Sequence, residues 1–351
     1  MRNRFWNTLI LLLVAVTVIH AQARPFEGVT LRLITHDSFA FTEDVLTAFE
    51  DETGMTVEIL RAGDAGTMVN QSILSKGNPL ADVLYGVDNT FLSRALEADI
   101  FIPYRSPLLE SVAEEFILDP EYRVTPIDYG DVALNYDVAY FTDNELSIPQ
   151  SLAELTDPIY SGLLVVENPA TSSPGLAFLL TTIGVFGETG DYTYLDYWQE
   201  LVANDVLVVD DWTSAYYGEF TLAGGDRPLV VSYASSPPAE VFFADPPVTE
   251  ALTGAIVADG TAFRQVEFAG ILRGTEQEAA AQAFIDFLLS EPFQADMPLN
   301  MFVFPVKPDV QLPDVFVDYA QVAQTPVNVS YTDIETHRES WIQAWTEAAL
   351  R

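Results

Sequence analysis

Cysteine is absent from the 351 residues, and histidine occurs three times. Without cysteine the chain can form neither a disulfide nor the acylated anchor of a bacterial lipoprotein. His20 lies in an N-terminal apolar segment and His337 in a predicted surface helix, so His36 alone remains to assist a serine nucleophile or a metal ion. Because such sites need several converging groups, we predict no catalytic residue, no cofactor and no bound metal.

Basic residues are also scarce, since 15 lysines and arginines stand against 52 aspartates and glutamates, for a formal net charge of −37. A field of this sign repels nucleic acid and anionic lipid, and it keeps the chain soluble and monomeric. We therefore predict a monomer without a nucleic-acid partner. The charge has two interpretations: adaptation for solubility or a salty habitat, or attraction of a cationic ligand.

A single long apolar run is present, from Leu9 to Ile19, and it follows Arg2 and Arg4. The small-residue sequence Ala21-Gln22-Ala23 comes directly after it. This order is typical of a secretory signal peptide, and the run is shorter than the ~20 residues of a membrane-spanning helix. We predict a signal peptide at residues 1–23 and an exported protein, in the periplasm or at the outer face of the cytoplasmic membrane. Retention of the segment as an uncleaved anchor is the alternative.

The mature chain exceeds the ~250–300 residues at which one hydrophobic core stops growing, so we expect two lobes. Apolar strand patterns at Val29–Thr35, Thr56–Leu60 and Asp82–Tyr85 alternate with helical patterns. This order predicts an α/β fold in which a mostly parallel sheet is flanked by helices on both faces.

Two extended segments, Ile127–Asp137 and Phe263–Leu272, have the pattern of strands that cross between the lobes. They divide the chain into a discontinuous lobe 1, residues 24–128 and 268–351, and a lobe 2, residues 129–267. The predicted fold is thus two α/β lobes joined by two crossing hinge strands.

In parallel sheets the ligand binds beyond the carboxyl ends of the strands. In lobe 1 the loops at those ends carry Asp37, Asp64 and Asp88. Asp37 and Asp88 fit caps of a helix or turn, whereas we predict Asp64 to contact a ligand.

Lobe 2 contains two Ser-Ser-Pro turns that follow strands, at Ser172-Ser173-Pro174 and Ser235-Ser236-Pro237. Hydroxyl groups at a helix start favour an anionic or polar ligand group, although ordinary helix caps use the same residues. Both interpretations stay open at this point.

Aromatic residues accompany these turns, and Trp212, Tyr233 and Phe302 are the ones we expect at the cleft. A flat cation held between such rings gains up to ~2 kcal/mol once water is excluded. Core packing is the interpretation for three neighbouring aromatic residues: Tyr216, Tyr217 and Phe304.

Six strings occur in an order that makes the sequence recognisable: THDSF at 35–39, ADVLYGVDNT at 81–90, IDYGDVALNYD at 127–137, ENPATSSPGLAFLL at 167–180, DWTSAYYGEF at 211–220 and LVVSYASSP at 229–237. Together they resemble the thiamine-binding periplasmic proteins of ABC importers, within the type II extracellular solute-binding family. The resemblance implies that thiamine, thiamine monophosphate or thiamine diphosphate binds between the lobes. It also implies delivery of the ligand to an ABC permease and its ATPase.

Carried over by matching motif, the ligand contacts implied by the resemblance are Asp64, Ala65, Ser172, Ser173, Trp212, Tyr233, Ala234, Ser235, Ser236 and Pro237. The sequence departs from the family at His36, where the family has a tyrosine, and at Phe302, near a family tryptophan. Pro238 and Ala239 replace an expected aromatic residue. We include His36 and Phe302 among the predicted contacts of an altered aromatic enclosure.

Two alternatives remain. The same fold binds ferric iron, a polyamine or an organophosphonate in related proteins, and the Tyr216-Tyr217 pair has a superficial match to iron sites. The second alternative is an exported hydrolase with a nucleophile in one of the two serine turns, but those turns lack an evident histidine partner in the same lobe.

Overall fold

The computed structural model describes residues 24–350, and the signal peptide predicted at 1–23 lies outside the described residues. The strands are β1 Thr30–Thr35, β2 Thr56–Arg61, β3 Val83–Asp88, β4 Phe101–Ile102, β5 Thr125–Asp137, β6 Leu164–Glu167, β7 Leu207–Val209, β8 Leu229–Tyr233, β9 Thr253–Ile256, β10 Phe263–Leu272 and β11 Phe304–Pro305. The helices are α1 Glu43–Thr53, α2 Ala65–Leu74, α3 Leu92–Glu97, α4 Val138–Asp143, α5 Ser173–Phe186, α6 Tyr194–Ala203, α7 Trp212–Ser214, α8 Pro237–Phe243, α9 Glu278–Leu288, α10 Glu291–Asn300, α11 Asp314–Tyr319 and α12 Tyr331–Ala349.

The lobe 1 sheet has the parallel order β2-β1-β3. Every residue of β3 is buried, as expected of a central strand with helices on both faces, whereas β2 is an edge strand with alternating exposure. The three strands predicted from sequence are confirmed within one to three residues at each end.

Lobe 2 repeats this arrangement with the parallel strands β8-β6-β7. Strand β5 runs antiparallel to β8 and also pairs with β9. Helix α5 packs against this sheet. Its side chains are apolar on nearly every side of the helix, and most of its residues are buried accordingly.

The two lobes share one continuous sheet because β5 and β10 pair antiparallel at the junction, in the order β2-β1-β3-β10-β5-β8-β6-β7. The predicted α/β fold, with its two crossing strands, is confirmed. The predicted lobe boundaries, after Asp128 and after Glu267, fall at two residues that pair directly across these strands. The boundaries themselves stay a prediction.

Strand β10 is irregular at this junction. Its register shifts between Glu267 and Phe268 against β5, and between Phe268 and Ala269 against β3. Bulges of this kind bend a strand and change the direction of a side chain.

None of the helices in residues 24–350 combines the length and the apolar character that a membrane crossing requires.

An ion pair fastens the two crossing strands where they enter lobe 2. Arg264 of β10 donates to both carboxylate oxygens of Asp131 of β5 through its Nε and Nη2 atoms, and the Asp131 carboxylate also accepts the Ala323 amide at 2.7 Å. Asp131 is 2% exposed. Three donors therefore depend on one buried carboxylate.

Asp131→Ala should lower the free energy of unfolding by about 3 kcal/mol, because it leaves a partly buried guanidinium and a buried amide without partners. Urea unfolding measures this change. Asp99→Ala is the control, since it removes an arginine pair that is exposed on both sides and should change unfolding little. Equal effects of the two substitutions would contradict the prediction.

Several carboxyl groups are buried at the strand ends that face the junction. Burial raises the pKa of Asp88 to about 6, and burial followed by the nearby Glu267 charge raises the pKa of Asp128 well above its ordinary value. Glu167 is fully buried, and neither of its carboxylate oxygens has a hydrogen-bond partner. Burial, and then the charges of Asp64 and Asp211, raises the pKa of Glu167 well above its ordinary value.

A carboxyl group with a raised pKa in the folded state contributes stability that is fully present below its unfolded pKa and is lost as the pH rises. The free energy of unfolding should therefore decrease from about pH 5 to about pH 8. Glu167→Gln, which mimics the protonated form, should flatten this decrease, while Glu250→Gln at an exposed site should not. Urea unfolding across this pH range is the measurement. A steeper loss of stability with pH in Glu167→Gln would contradict the assignment.

Candidate functional site

A cavity of about 410 Å³ lies between the two lobes. Seven of the residues predicted as contacts line it: His36, Asp64, Ser173, Trp212, Tyr233, Ser236 and Phe302. Most of them follow the carboxyl ends of strands, where the fold rule places a ligand crevice. The structure thus brings predicted residues from both lobes to one cavity.

Five other predicted contacts are buried behind this wall: Ala65, Ser172, Ala234, Ser235 and Pro237. Ser173 and Ser236 are thus the serines of the two turns that line the cavity, whereas Ser172 and Ser235 do not. Contact of these five residues with a ligand stays a prediction.

The second-lobe wall is a cluster of aromatic rings around Trp212. Asp211 accepts a hydrogen bond from the Ser214 amide at 2.7 Å and starts the short helix α7. One helical turn later Tyr216 lies under the indole, with ring centroids 5.0 Å apart and planes at 18°. Trp212 Nε1 donates to Ser232 Oγ at 3.0 Å, which fixes the ring orientation.

The core interpretation was wrong for Tyr217, which is 62% exposed and lines the cavity with its ring edge toward Trp212. Tyr216 has both roles, because it packs in a small core cluster with Phe220 and also lines the cavity. Phe304 is confirmed as a core residue, stacked on Tyr129.

Asp64 links the two lobes. Its carboxylate caps helix α2 by accepting the Ala65 amide at 2.9 Å, and it accepts the Trp212 amide of the other lobe at 3.2 Å. Burial raises the pKa of Asp64, and these hydrogen bonds together with the Ser172 hydroxyl oppose the rise. The Gly66 amide adds a second interlobe bond, to the Thr171 carbonyl at 3.0 Å.

The capping role predicted for Asp88 is confirmed, whereas Asp37 bonds to a different loop. Asp88 accepts from the Thr90 hydroxyl and the Phe91 amide at the start of α3. Asp37 accepts the Gly63 amide at 3.0 Å and ties two loops together, and it also lines the cavity.

The serine turns do not use their hydroxyls as ordinary caps. Ser172 and Ser236 occupy the cap positions of α5 and α8, and neither side chain makes a capping hydrogen bond. Ser236 Oγ lies 3.1 Å from Ser232 Oγ, the Ser172 hydroxyl interacts with the Asp64 carboxylate, and the buried hydroxyl of Ser235 has no hydrogen-bond partner. Buried hydroxyls without partners are uncommon, and this one lies directly behind a cavity wall.

The first-lobe wall holds His36 beside Glu267, with Nε2 and Oε1 3.4 Å apart and both side chains 9% exposed. At this length the contact is an ion pair when His36 is protonated, but a poor hydrogen bond. Burial lowers the pKa of His36, but the charge and contact of Glu267 and the charges of Asp64 and Asp37 together raise it by more, so the net shift is upward. Gly86 makes room for the ring, because a Cβ there would lie 2.3 Å from His36 Cδ2.

Sequence reasoning missed several lining residues, among them Glu267, Phe243 and the segment at 300, 301 and 303. Glu267 carried a signal, since it is an acidic residue in the middle of an otherwise mostly apolar crossing strand. The others follow helices α8 and α10 and have no comparable pattern.

Comparison with known proteins agrees with the fold and the resemblance. The family profile of bacterial extracellular solute-binding proteins matches residues 78–323. The thiamine-binding periplasmic protein of Salmonella typhimurium is 29% identical over 337 residues, covering 94% of this chain and 96% of that protein. Its Escherichia coli counterpart is 29% identical over 335 residues, covering 93% and 95%.

The solved structure of a periplasmic thiamin binding protein superposes with a TM-score of 0.79 at 27% identity, covering 92% of this chain and 96% of that one. These relatives are named as binding proteins and not as enzymes. The expected export from the cytoplasm also agrees with the family. The chain belongs to the bacterial extracellular solute-binding proteins.

Proposed function

We propose that the chain is the solute-binding component of an ABC importer and that it binds thiamine or a thiamine phosphate between its lobes. The observation that carries the proposal is the cavity itself, with stacked aromatic rings on one side and carboxylates on the other. Thiamine combines a permanently cationic thiazolium with a flat aminopyrimidine, and both parts suit these walls. The relatives with this name align over more than nine-tenths of the chain.

In this proposal Trp212, Tyr233 and Phe302 enclose the two rings. The hydroxyls of Ser173 and Ser236 bind the hydroxyethyl group of thiamine, or the phosphate of its monophosphate or diphosphate. The five residues buried behind the wall support the backbone conformation of the adjacent lining residues: Ala65, Ser172, Ala234, Ser235 and Pro237. The cavity volume falls within the ~300–1,000 Å³ of small-molecule sites.

Residues 24–128 and 268–351 act as one lobe and residues 129–267 as the other. The lobes open about β5 and β10 and close by forming the bonds of Asp64 and Gly66 across the cleft. A permease with its ATPase then recognises the closed monomer, because closure changes the surface that both lobes present.

The ferric-iron alternative fits the tyrosine pair poorly. The Tyr216 hydroxyl donates to Glu240 at 2.5 Å. Burial and then the Glu240 charge raise the pKa of Tyr216 well above its ordinary value, which disfavours the phenolate that iron requires. The hydrolase alternative fits no better, since the hydrogen bonds of residues 24–350 join no serine of the two turns to a histidine.

Titration calorimetry of the folded, ligand-free protein should show thiamine binding. Trp212→Ala should weaken it about 30-fold, equivalent to ~2 kcal/mol, through loss of the cation–π face. Trp212→Phe should recover part of the affinity, and Tyr192→Ala at a remote exposed ring should change nothing. Absence of heat with thiamine and both phosphate esters would refute the assignment.

Gly66→Ala tests closure. A Cβ at this position would lie 2.7 Å from the Thr171 carbonyl oxygen of the opposite lobe, so the closed form should be disfavoured. We expect thiamine affinity to fall by about tenfold or more as the competent population shrinks. Gly77→Ala is the matched control, with no atom within 4 Å of the added carbon. Small-angle scattering that shows equal compaction of both variants with thiamine would contradict this role.

A further inference from the structure

Glu267 is a buried acidic side chain at the centre of the molecule, on the strand where the lobes meet. In the sheet, Glu267 lies opposite Asp128 of β5 and opposite Asp88 of β3, next to the two register shifts of β10. The residue is 7% exposed and lines the cavity. A carboxylate in such a place is costly unless a cation or several donors compensate it.

The contacts that the protein makes with the Glu267 carboxylate are weak. Tyr85 donates its strong hydrogen bond to Asp128 and lies 3.5 Å from Glu267 Oε2. Asp128 and Glu267 are thus two buried carboxyl groups side by side, and burial followed by the Glu267 charge raises the pKa of Asp128. The remaining partner is His36, whose Nε2 atom is buried without a true hydrogen bond.

The residues that line the cavity supply no permanent positive charge. Its titratable lining groups are the carboxyls of Asp37, Asp64 and Glu267, the imidazole of His36 and three tyrosines, and none of the described lining residues is a lysine or arginine. Arg61 does not line the cavity; its guanidinium donates hydrogen bonds to the backbone carbonyls of Asp37 and Phe39.

We propose that Glu267 is the counter-ion of the cationic ligand ring and that His36 gives up its proton when that ring binds. The proposal rests on the proposed function, because it requires a ligand with a fixed positive charge. A bound thiazolium satisfies Glu267 directly, and the same positive charge repels the proton on His36. Asp64 from α2, Asp37 from the neighbouring loop and Tyr85 from β3 complete the groups that face this imidazole.

Linkage makes the inference measurable. If the cation and the proton compete for one negative site, each must weaken the binding of the other by the same factor. Thiamine affinity should therefore rise with pH through the titration of His36 and level off above it. Because the pKa of His36 is raised, this range lies above the ordinary imidazole value of 6.5.

Calorimetry of the wild-type protein with thiamine, in two buffers of different ionisation enthalpy at about pH 7, counts the protons directly. We expect a fractional release that approaches one proton per thiamine where His36 is protonated and disappears at a pH above its titration. His36→Gln should abolish the release and the pH dependence. Binding without proton release, or persistent release in His36→Gln, would overturn the inference while leaving the thiamine assignment intact.

Glu267→Gln tests the counter-ion. It should weaken thiamine binding about tenfold to hundredfold, and it should change little the binding of an analogue whose thiazolium is replaced by neutral thiophene. The neutral analogue also shows that the variant retains its folded cavity. Glu121→Gln, at a site whose side chain is 69% exposed, is the charge control and should bind thiamine normally. Equal losses for both ligands in Glu267→Gln would overturn the counter-ion role, and failure of the wild-type protein to bind thiamine would refute both proposals.

Discussion

The antiparallel pairing of β5 with β10 is the constraint on which the rest of the structure depends. It joins two parallel sheets into one, so that the carboxyl ends of the strands in each lobe face the same space. The loops that carry Asp64 in lobe 1 and Trp212 in lobe 2 meet there without a separate binding domain. The chain after β10 adds further contacts with lobe 2, because Trp345 of α12 packs edge-to-face on Trp198 of α6 and Trp341 Nε1 donates to Glu188 at 2.7 Å.

Polar side chains form a hydrogen-bonded network at this junction, beside the apolar core that runs through both lobes. Tyr233 donates to Gln265 at 2.7 Å, and Gln265 donates to Asp88 at 2.7 Å, so a chain of hydrogen bonds runs from the cavity wall to the cap of α3. Satisfied networks of this kind fix geometry, whereas unsatisfied members are costly. The buried hydroxyl of Ser235 is such a member, and it lies behind the cavity wall.

The net charge of the protein and the carboxylates of the cavity both attract cations. A formal charge of −37 draws cations toward the protein, and the cavity continues that field inward with three carboxylates. The aromatic wall then distinguishes a flat organic cation from a hydrated metal ion, because stacking rewards a planar ring that has lost its water.

Sequence alone determined the α/β class, the three lobe 1 strands and the two crossing segments, because hydrophobic periodicity is set by neighbours along the chain. It also placed Asp64, Trp212 and Tyr233 at the cleft, since Asp64 and Tyr233 lie at or beyond a predicted strand end and Trp212 accompanies the serine turns. The sequence did not determine which serine of each pair faces the cavity, or that Tyr217 is exposed while Tyr216 is buried.

Glu267 shows the limit most clearly. Its side chain lines the cavity because β10 is bulged against two partners, and those partners, β3 and β5, lie more than 120 residues earlier in the chain. Register between distant strands is decided by packing of the whole sheet and leaves no local periodic signal. The tertiary structure therefore decided that Glu267 lines the cavity, whereas the sequence had already indicated the aromatic residues Trp212 and Tyr233.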